Sequence, residues 1–74
     1  ILLQLGAFSA RDNAESLRAR LQRELTWLND VMRVSAGGGL FRLQLGPYAS
    51  AEDARRIAER IRTELGLAPI LVSR

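Results

Sequence analysis

Two amide side chains are the groups in this sequence best suited to chemistry on a ligand. Gln4 stands in LQLGAF, residues 3–8, and Gln44 stands in LQLGPY, residues 43–48, forty positions later. An amide both donates and accepts hydrogen bonds, a glycine lets a ligand approach the backbone, and an aromatic ring stacks on apolar C–H surface. A neutral, hydroxyl-rich ligand needs all three groups, and the segments supply Gln4, Gly6, Phe8, Gln44, Gly46 and Tyr48, together with Arg42.

Catalysis and metal binding find little support in the composition. The chain contains no His, which removes the commonest general base and the commonest metal ligand. It also contains no Cys, which removes thiolate metal sites and disulfides. We interpret the acidic residues Asp12, Asp30, Glu52 and Asp53 as helix caps or surface charges, because no nucleophile–base pair accompanies them. The sequence therefore predicts a binding domain that is not an enzyme and has no cofactor and no metal.

The basic charge of the chain has two possible explanations. The net charge is +3 and every basic residue is Arg, which raises nucleic acids and anionic surfaces as partners. The spacing of Glu15 with Arg18 and of Arg20 with Glu24 instead favours weak ion pairs on solvated helix faces.

No apolar run approaches the roughly 20 residues of a membrane helix, so we expect no membrane contact by this domain. Since the chain opens on Ile1 inside an apolar run, we expect it to be cut from a longer protein.

Hydrophobic periodicity predicts six elements in the order β-α-β-β-α-β. A capping box precedes each helix, with Ser9 and Asp12 before the first and Ser50 and Asp53 before the second. Gly66 is typical of a helix end. The predicted strands are 2–8, 31–35, 40–48 and 70–73, with a break of the first helical pattern at Asn29 and Asp30 and a glycine turn at 37–39.

The second half of the chain repeats the first. Ala14 matches Ala54, Leu17 matches Ile57 and Leu25 matches Leu65 at the same offset of forty. We interpret residues 1–74 as one domain of two βα(β) half-repeats, about 1–35 and 40–74. Right-handed crossovers then predict an α+β, ferredoxin-like fold, in which both helices cover one face of a four-stranded antiparallel sheet and strands one and three lie at its centre.

Strand alternation divides the central side chains between two sheet faces. Leu3, Leu5 and Ala7, with Phe41, Leu43 and Leu45, are predicted to face the helices. The uncovered face would then carry Leu2, Gln4, Gly6, Phe8, Arg42, Gln44, Gly46 and Tyr48. Simpler explanations stay open at this point: the glutamines could serve solvation, the glycines could mark bulges, and the aromatic rings could fold over the sheet edge to complete the core.

At these residues the chain resembles the SPOR domains, the sporulation-related repeat of bacterial cell-envelope proteins. The likeness covers essentially the whole chain and is most specific in LQLGAFSARDNAESL and LFRLQLGPYASAEDA. It implies a non-catalytic module that binds peptidoglycan glycan strands whose stem peptides amidases have removed. Such strands are enriched at the division septum, so the resemblance implies a periplasmic domain that directs its parent protein there.

The resemblance also implies where the glycan lies and what the parent protein is. By the family's pattern the ligand crosses the open sheet face, over Gln4, Gly6, Phe8, Ser9, Arg42, Gln44, Gly46, Pro47 and Tyr48. Asn13 follows the family's FS…NA segment and is expected to contact the glycan, whereas Asp53 stands at the matching position of the second half. The expected domain is a monomer, and its parent is expected to be an outer-membrane lipoprotein with a lytic transglycosylase in a separate domain.

Two other functions share the predicted fold. An RNA-recognition motif has the same order of elements but needs alternating aromatics on its third strand, where this chain has Gln44 and Gly46. A ferredoxin-like interaction or dimerisation domain could use the open face against protein, because the fold alone dictates no function. Trp27, the single Trp, either packs under the helix–strand loop or extends a sugar-binding surface.

Overall fold

The computed structural model describes residues 1–28 and 30–73, and the predicted order of elements is confirmed in them. The predicted break at Asn29 and Asp30 lies partly outside the described residues, because Asn29 is not among them. The strands are β1 Leu2–Phe8, β2 Met32–Gly37, β3 Leu40–Leu45 and β4 Ile70–Val72, and the helices are α1 Arg11–Glu24 and α2 Ala51–Leu65.

The four strands form one antiparallel sheet in the order β2-β3-β1-β4. The prediction that strands one and three lie at the centre is therefore confirmed. Gly38 and Gly39 make the turn between β2 and β3, and both have positive φ, of 60° and 78°. A tight hairpin turn needs this backbone conformation, which glycine adopts without steric cost.

A single core joins one face of the sheet to both helices. Leu3 and Leu45 from the central strands, Leu21 from α1 and Ile61 from α2 are fully buried in the same cluster. The offset of forty is visible in the burial of equivalent residues: Leu3 with Leu43, Ala14 with Ala54, and Leu21 with Ile61 are all fully buried. Equivalent apolar positions thus do the same packing in the two halves.

The two helices begin differently. Ser50 caps α2 as predicted, and its hydroxyl oxygen accepts a hydrogen bond from the Asp53 backbone N–H at 3.1 Å. The predicted cap at Ser9 is wrong, because Ala10 is the N-cap of α1 and makes no side-chain cap bond. Ala10 is the residue that the offset of forty pairs with Ser50, so the repeat locates the helix start more accurately than the residue type does.

A β-bulge interrupts the pairing of β1 with β3. Gln4 lies opposite Gln44, but the next pair is Gly6 with Leu43, so Leu5 has no partner of its own. Beyond such an extra residue the alternation of side chains is offset by one position. The residues of β1 that follow the bulge therefore face the opposite side from the one that simple alternation predicts.

This bulge corrects three sequence predictions. Gly6 pairs with Leu43 and Phe8 pairs with Phe41, so both share the helix-covered face rather than the open one. A Cβ added to Gly6 would lie 2.9 Å from the Phe8 ring and 3.5 Å from the side chain of Leu17 on α1. Ala7 was predicted to face the helices, but it is exposed and lies on the open face. Gly6 thus gives room to the Phe8 ring, not to a ligand.

The third strand is shorter than predicted. β3 ends at Leu45, because Gly46 has a φ of 122° and turns the chain out of the strand. Tyr48 was predicted on the open face of that strand, but its side chain packs against the core cluster. Its backbone N–H donates to the carbonyl of Ile1 at 2.7 Å, which fixes the returning chain beside the start of β1.

Candidate ligand-binding face

One row of side chains crosses all four strands on the sheet face opposite the helices, which we call the open face. Arg33 of β2 lies opposite Gln44 of β3, Gln44 opposite Gln4 of β1, and Gln4 opposite Ile70 of β4. The row thus runs cation, amide, amide, apolar side chain. Since directly opposite residues lie about 5 Å apart, one ligand can contact both amides.

The open face is polar and carries no negative charge. None of the four strands contains an acidic residue, whereas β2 contributes Arg33 and β3 contributes Arg42. Within residues 1–28 and 30–73, the half-buried side chains of Gln4 and Gln44 make no hydrogen bond to another residue. Their donors and acceptors are therefore free to bind a ligand.

A cleft of about 310 Å³ opens on this face at the start of β1. Arg33 and Gln44 supply its polar side chains, and the exposed Pro47 and the buried Leu2 form the apolar part of its lining. Ile1, Leu45 and Gly46 complete the lining. Ligand sites of proteins commonly combine apolar surface with a few polar groups that orient the ligand, and this cleft has that composition.

Gly46 shapes the cleft because any side chain at its position would be strained. Its φ of 122° lies where L side chains are rarely found. An added Cβ would also stand 3.1 Å from the Tyr48 ring, 3.2 Å from the Tyr48 backbone nitrogen and 3.3 Å from the Ile1 carbonyl oxygen. Gly46 is thus required for the turn that brings Pro47 beside Leu2.

Arg42 occupies the middle of the open face. It lies opposite Ser35 of β2 and Ala7 of β1. Its guanidinium donates a hydrogen bond to the Gly37 carbonyl at 3.1 Å, so the side chain leans toward the β2–β3 hairpin and away from the cleft. Arg42 can therefore contact a ligand that extends along the sheet beyond the cleft.

Tyr48 packs against the core and stabilises the chain segment that follows β3. Its hydroxyl donates to the carboxylate of Asp30 at 2.8 Å, while its ring packs against the core. Burial, with the hydrogen bond to Asp30 and the charge of Asp30 as smaller causes, raises the pKa of Tyr48 far above its ordinary value of 10.0. The phenol consequently stays protonated, and it ties the segment after β3 to the loop before β2.

The structure brings together some of the predicted site residues and separates others. Gln4, Gln44, Gly46 and Pro47 lie together with Leu2, and Arg42 shares their face. The residues that lie elsewhere are Gly6 and Phe8 on the helix side, Tyr48 against the core, and Ser9 and Asn13, exposed at the far end of β1 from the cleft.

Sequence reasoning missed two residues of the row, Arg33 and Ile70. Arg33 lies in β2 and Ile70 in β4, strands that the LQLG repeat does not include. Ile70 has 60% of its surface exposed, which is unusual for a large apolar side chain in a strand. The available signal was alternation in MRVS, which places Arg33 and Ser35 on one face and Met32 and Val34 on the other.

Trp27 belongs to a separate cluster on the helix side. Its indole N–H donates to Glu64 at 3.0 Å, and the Arg60 guanidinium carbon lies 3.9 Å from the centre of its ring. Arg60 also donates a hydrogen bond to Glu64. This bond and the one from Trp27 lower the pKa of the Glu64 carboxyl. Trp27 therefore joins the loop after α1 to α2 and takes no part in the open face.

The described residues provide no basis for a metal site or a membrane-spanning helix. Across 1–28 and 30–73 no group of three His, Cys, Asp or Glu side chains is arranged to hold a metal ion. Neither α1 nor α2 is long and apolar enough to cross a membrane. The open face is the candidate site because it combines two adjacent amides with a cleft.

Comparison with known proteins identifies the family of this fold. The family model described as the SPOR domain matches residues 1–73. This chain belongs to the SPOR domain family. The resemblance noted in LQLGAFSARDNAESL and LFRLQLGPYASAEDA is thus confirmed over nearly the full length.

Relatives of this SPOR domain include a cell-wall enzyme and two solved domains. It is 32% identical over 72 residues to the endolytic peptidoglycan transglycosylase RlpA of Salmonella typhi, covering 97% of this chain and 18% of that protein. The RlpA SPOR domain from Pseudomonas aeruginosa superposes with a TM-score of 0.70 at 33% identity, covering 99% of this chain and 97% of that one. The peptidoglycan binding domain of the B. subtilis cell wall lytic enzyme CwlC superposes with a TM-score of 0.76 at 27% identity, covering 96% and 84%.

Proposed function

We propose that this SPOR domain is a non-catalytic module that binds the glycan strands of peptidoglycan across its open face. The solved relative from CwlC is named a peptidoglycan binding domain, and the RlpA relatives are named peptidoglycan transglycosylases. The chain spans only 18% of the RlpA sequence, so the proposal assigns binding to this domain and leaves catalysis to other domains.

The observation that carries the proposal is the pair of adjacent amides. Gln4 and Gln44 lie opposite each other in the centre of a sheet face without acidic groups. The hydroxyl and acetamido groups of a glycan both donate and accept hydrogen bonds, as glutamine does. Pro47, which is exposed beside Gln44 and the buried Leu2, offers apolar surface for the C–H face of a sugar ring.

The proposed ligand is the strand from which the stem peptides have been removed. Gln4, Gln44 and the lining of the cleft sit on a sheet surface, where a glycan can lie along the row. A stem peptide on each muramic sugar would crowd against that surface. Of the residues predicted to bind, Gln4, Arg42, Gln44, Gly46 and Pro47 are proposed to contact the glycan.

The remaining predicted residues take two other proposed roles. Gly6, Phe8 and Tyr48 support the face from the core side. Ser9 and Asn13 lie exposed where a longer strand, running along β1 away from the cleft, would reach them.

At the level of the cell, we propose that the domain acts as a monomer in the bacterial periplasm. Stripped strands are expected to be enriched at the division septum, so binding them would bring the parent protein to that place. A parent protein with a lytic transglycosylase domain and a lipoprotein anchor fits this proposal.

Sedimentation of the purified domain with cell walls tests the proposed function. Walls treated with an amidase should retain the domain, and the same walls before treatment should retain much less. Equal retention by both materials would contradict the preference, and no retention by either would contradict binding. Raising the salt concentration checks the nucleic-acid alternative, because a phosphate-tracking protein loses affinity steeply with salt and glycan recognition does not.

A further inference from the structure

Within residues 1–28 and 30–73, six of the eight helix arginines, all but Arg23 and Arg55, pair with a carboxylate, whereas neither arginine of the sheet does. On α1, Arg18 bonds Glu15 at 2.8 Å and Arg20 bonds Glu24 at 2.9 Å, and on α2, Arg62 bonds Glu59 at 2.7 Å. Across residues 1–28 and 30–73, by contrast, Arg33 has no carboxylate within 4.0 Å. Its charge is thus not neutralised by the described part of the chain.

Arg33 is placed where its charge can act on a ligand. It lies directly opposite Gln44 and lines the cleft with Leu2 and Pro47. Arg42, the other arginine of the sheet, is bonded to the Gly37 carbonyl outside the cleft. The cleft therefore combines one free guanidinium, one amide and an apolar surface, which fits a sugar carrying a carboxylate next to apolar groups.

Removal of a stem peptide creates such a sugar. The stem is joined through an amide to the lactyl group of each muramic residue, and hydrolysis of that amide leaves a free carboxylate beside the lactyl methyl group. A guanidinium can bind a carboxylate through two parallel hydrogen bonds. An intact strand offers a neutral amide at the same atom.

We propose that Arg33 is a specificity-determining residue that binds the lactyl carboxylate exposed when a stem peptide is removed. This inference rests on the proposed function, which it deepens: the stripped strand is selected by the charge it gains as well as by the bulk it loses. Gln44 holds the adjacent polar groups of the sugar, and the absence of acidic residues from the four strands keeps the face attractive to carboxylates.

Chemical neutralisation of the glycan separates charge from bulk. Soluble stripped glycan is compared with the same glycan after its carboxylates are converted to methylamides, which adds little volume and removes the charge. For the unaltered domain, the dissociation constant should rise roughly tenfold on this conversion, the size expected of one charge-assisted contact at a solvent-exposed site. Arg33→Gln should bind the free-carboxylate glycan about tenfold more weakly and should not distinguish the two forms.

Two further variants control for charge and folding. Arg23→Gln removes an equal charge from the exposed last turn of α1 and should keep the full preference. Arg33→Lys keeps the charge without the two-pronged geometry and should keep part of the preference. Thermal unfolding of each variant verifies that it is folded at the temperature of the binding measurement.

The possible outcomes distinguish this inference from the proposed function. If the unaltered domain binds both glycan forms equally, or if Arg33→Gln keeps the preference, the role of Arg33 is overturned while glycan binding stands. If the unaltered domain binds neither form, the proposed function itself fails, and the inference fails with it. Loss of preference in Arg33→Gln alone, with Arg23→Gln unchanged, supports the role of Arg33.

Discussion

Replacement of Phe8 by Ala should lower the stability of the domain and not its specific contacts with glycan. Phe8 is half-buried on the helix side of β1, where it pairs with Phe41 and its ring lies over Gly6. Leu17 of α1 packs at the same place, 3.5 Å from where a Cβ of Gly6 would lie. Removal of the ring would leave a gap between β1 and α1.

The expected loss follows from the burial of the ring. A fully buried Phe→Ala substitution costs roughly 3–5 kcal/mol, so a half-buried ring should cost about 2–3 kcal/mol. A domain of this size has a free energy of unfolding of about 4–11 kcal/mol, and each kcal/mol moves the thermal midpoint by roughly 4–8 °C. Phe8→Ala should therefore unfold about 10–20 °C lower than the parent.

The assay combines thermal unfolding by circular dichroism with retention on amidase-stripped cell walls below the midpoint. Ala7→Glu is the matched variant, because Ala7 is exposed on the open face opposite Arg42. It should change stability by no more than about 0.5 kcal/mol and should weaken retention by placing a negative charge on the face. If β1 had no bulge, Phe8 would lie on the open face and Ala7 on the helix side, and the two variants would exchange their effects on stability and retention. A stable Phe8→Ala that loses glycan, or an unfolded Ala7→Glu, would refute the register described here.

Three further predictions concern the core, the cleft and the alkaline stability of the domain. Leu45→Ala should cost roughly 2–5 kcal/mol of stability, since Leu45 is fully buried. Gln44→Ala should cost less than about 0.5 kcal/mol of stability but should reduce glycan binding. Urea unfolding measures the stability of both variants, and retention on cell walls measures their binding. Gly46→Ala should cost about 3 kcal/mol, and Gly39→Ala, with open space around an added Cβ, about 1–2 kcal/mol, in the same unfolding assay. Burial raises the pKa of Tyr48 above 10.0, so below pH 10 the phenol is protonated in both states. Above that pH only the unfolded state ionises, and stability should fall by up to about 1.4 kcal/mol per pH unit. The chain has no Lys or Cys and no second Tyr, so Tyr48→Phe should abolish this loss in unfolding curves at graded pH.

The sequence was sufficient to predict the fold, because its signals are local and occur twice. Apolar stripes at helical spacing, the Ser50 cap, the Gly66 helix end and the glycine turn each specify an element without reference to the rest of the chain. The N-cap of the first helix was predicted wrongly, because Ser9 was preferred for its capping side chain although the offset of forty aligns Ser50 with Ala10.

The site was predicted less completely, because its geometry depends on how strands pair. A bulge arises from pairing between two strands, and nothing within LQLGAF distinguishes a regular strand from one that gains an extra residue at Leu5. The sides assigned to Gly6 and Phe8 were wrong for this reason. Arg33 was missed because only the two central strands were divided between the sheet faces, and only the register with β3 places Arg33 opposite Gln44.

The most direct measurement of the central claim uses the three glutamines of the chain as reporters. Gln4 and Gln44 lie on the open face, and Gln22 is exposed on α1. In a ¹⁵N-labelled domain titrated with stripped glycan oligosaccharides, the side-chain amide resonances of Gln4 and Gln44 should shift together until saturation, and that of Gln22 should not move. A shift of Gln22 with unchanged Gln4 and Gln44 at saturating glycan would contradict the open face as the binding site.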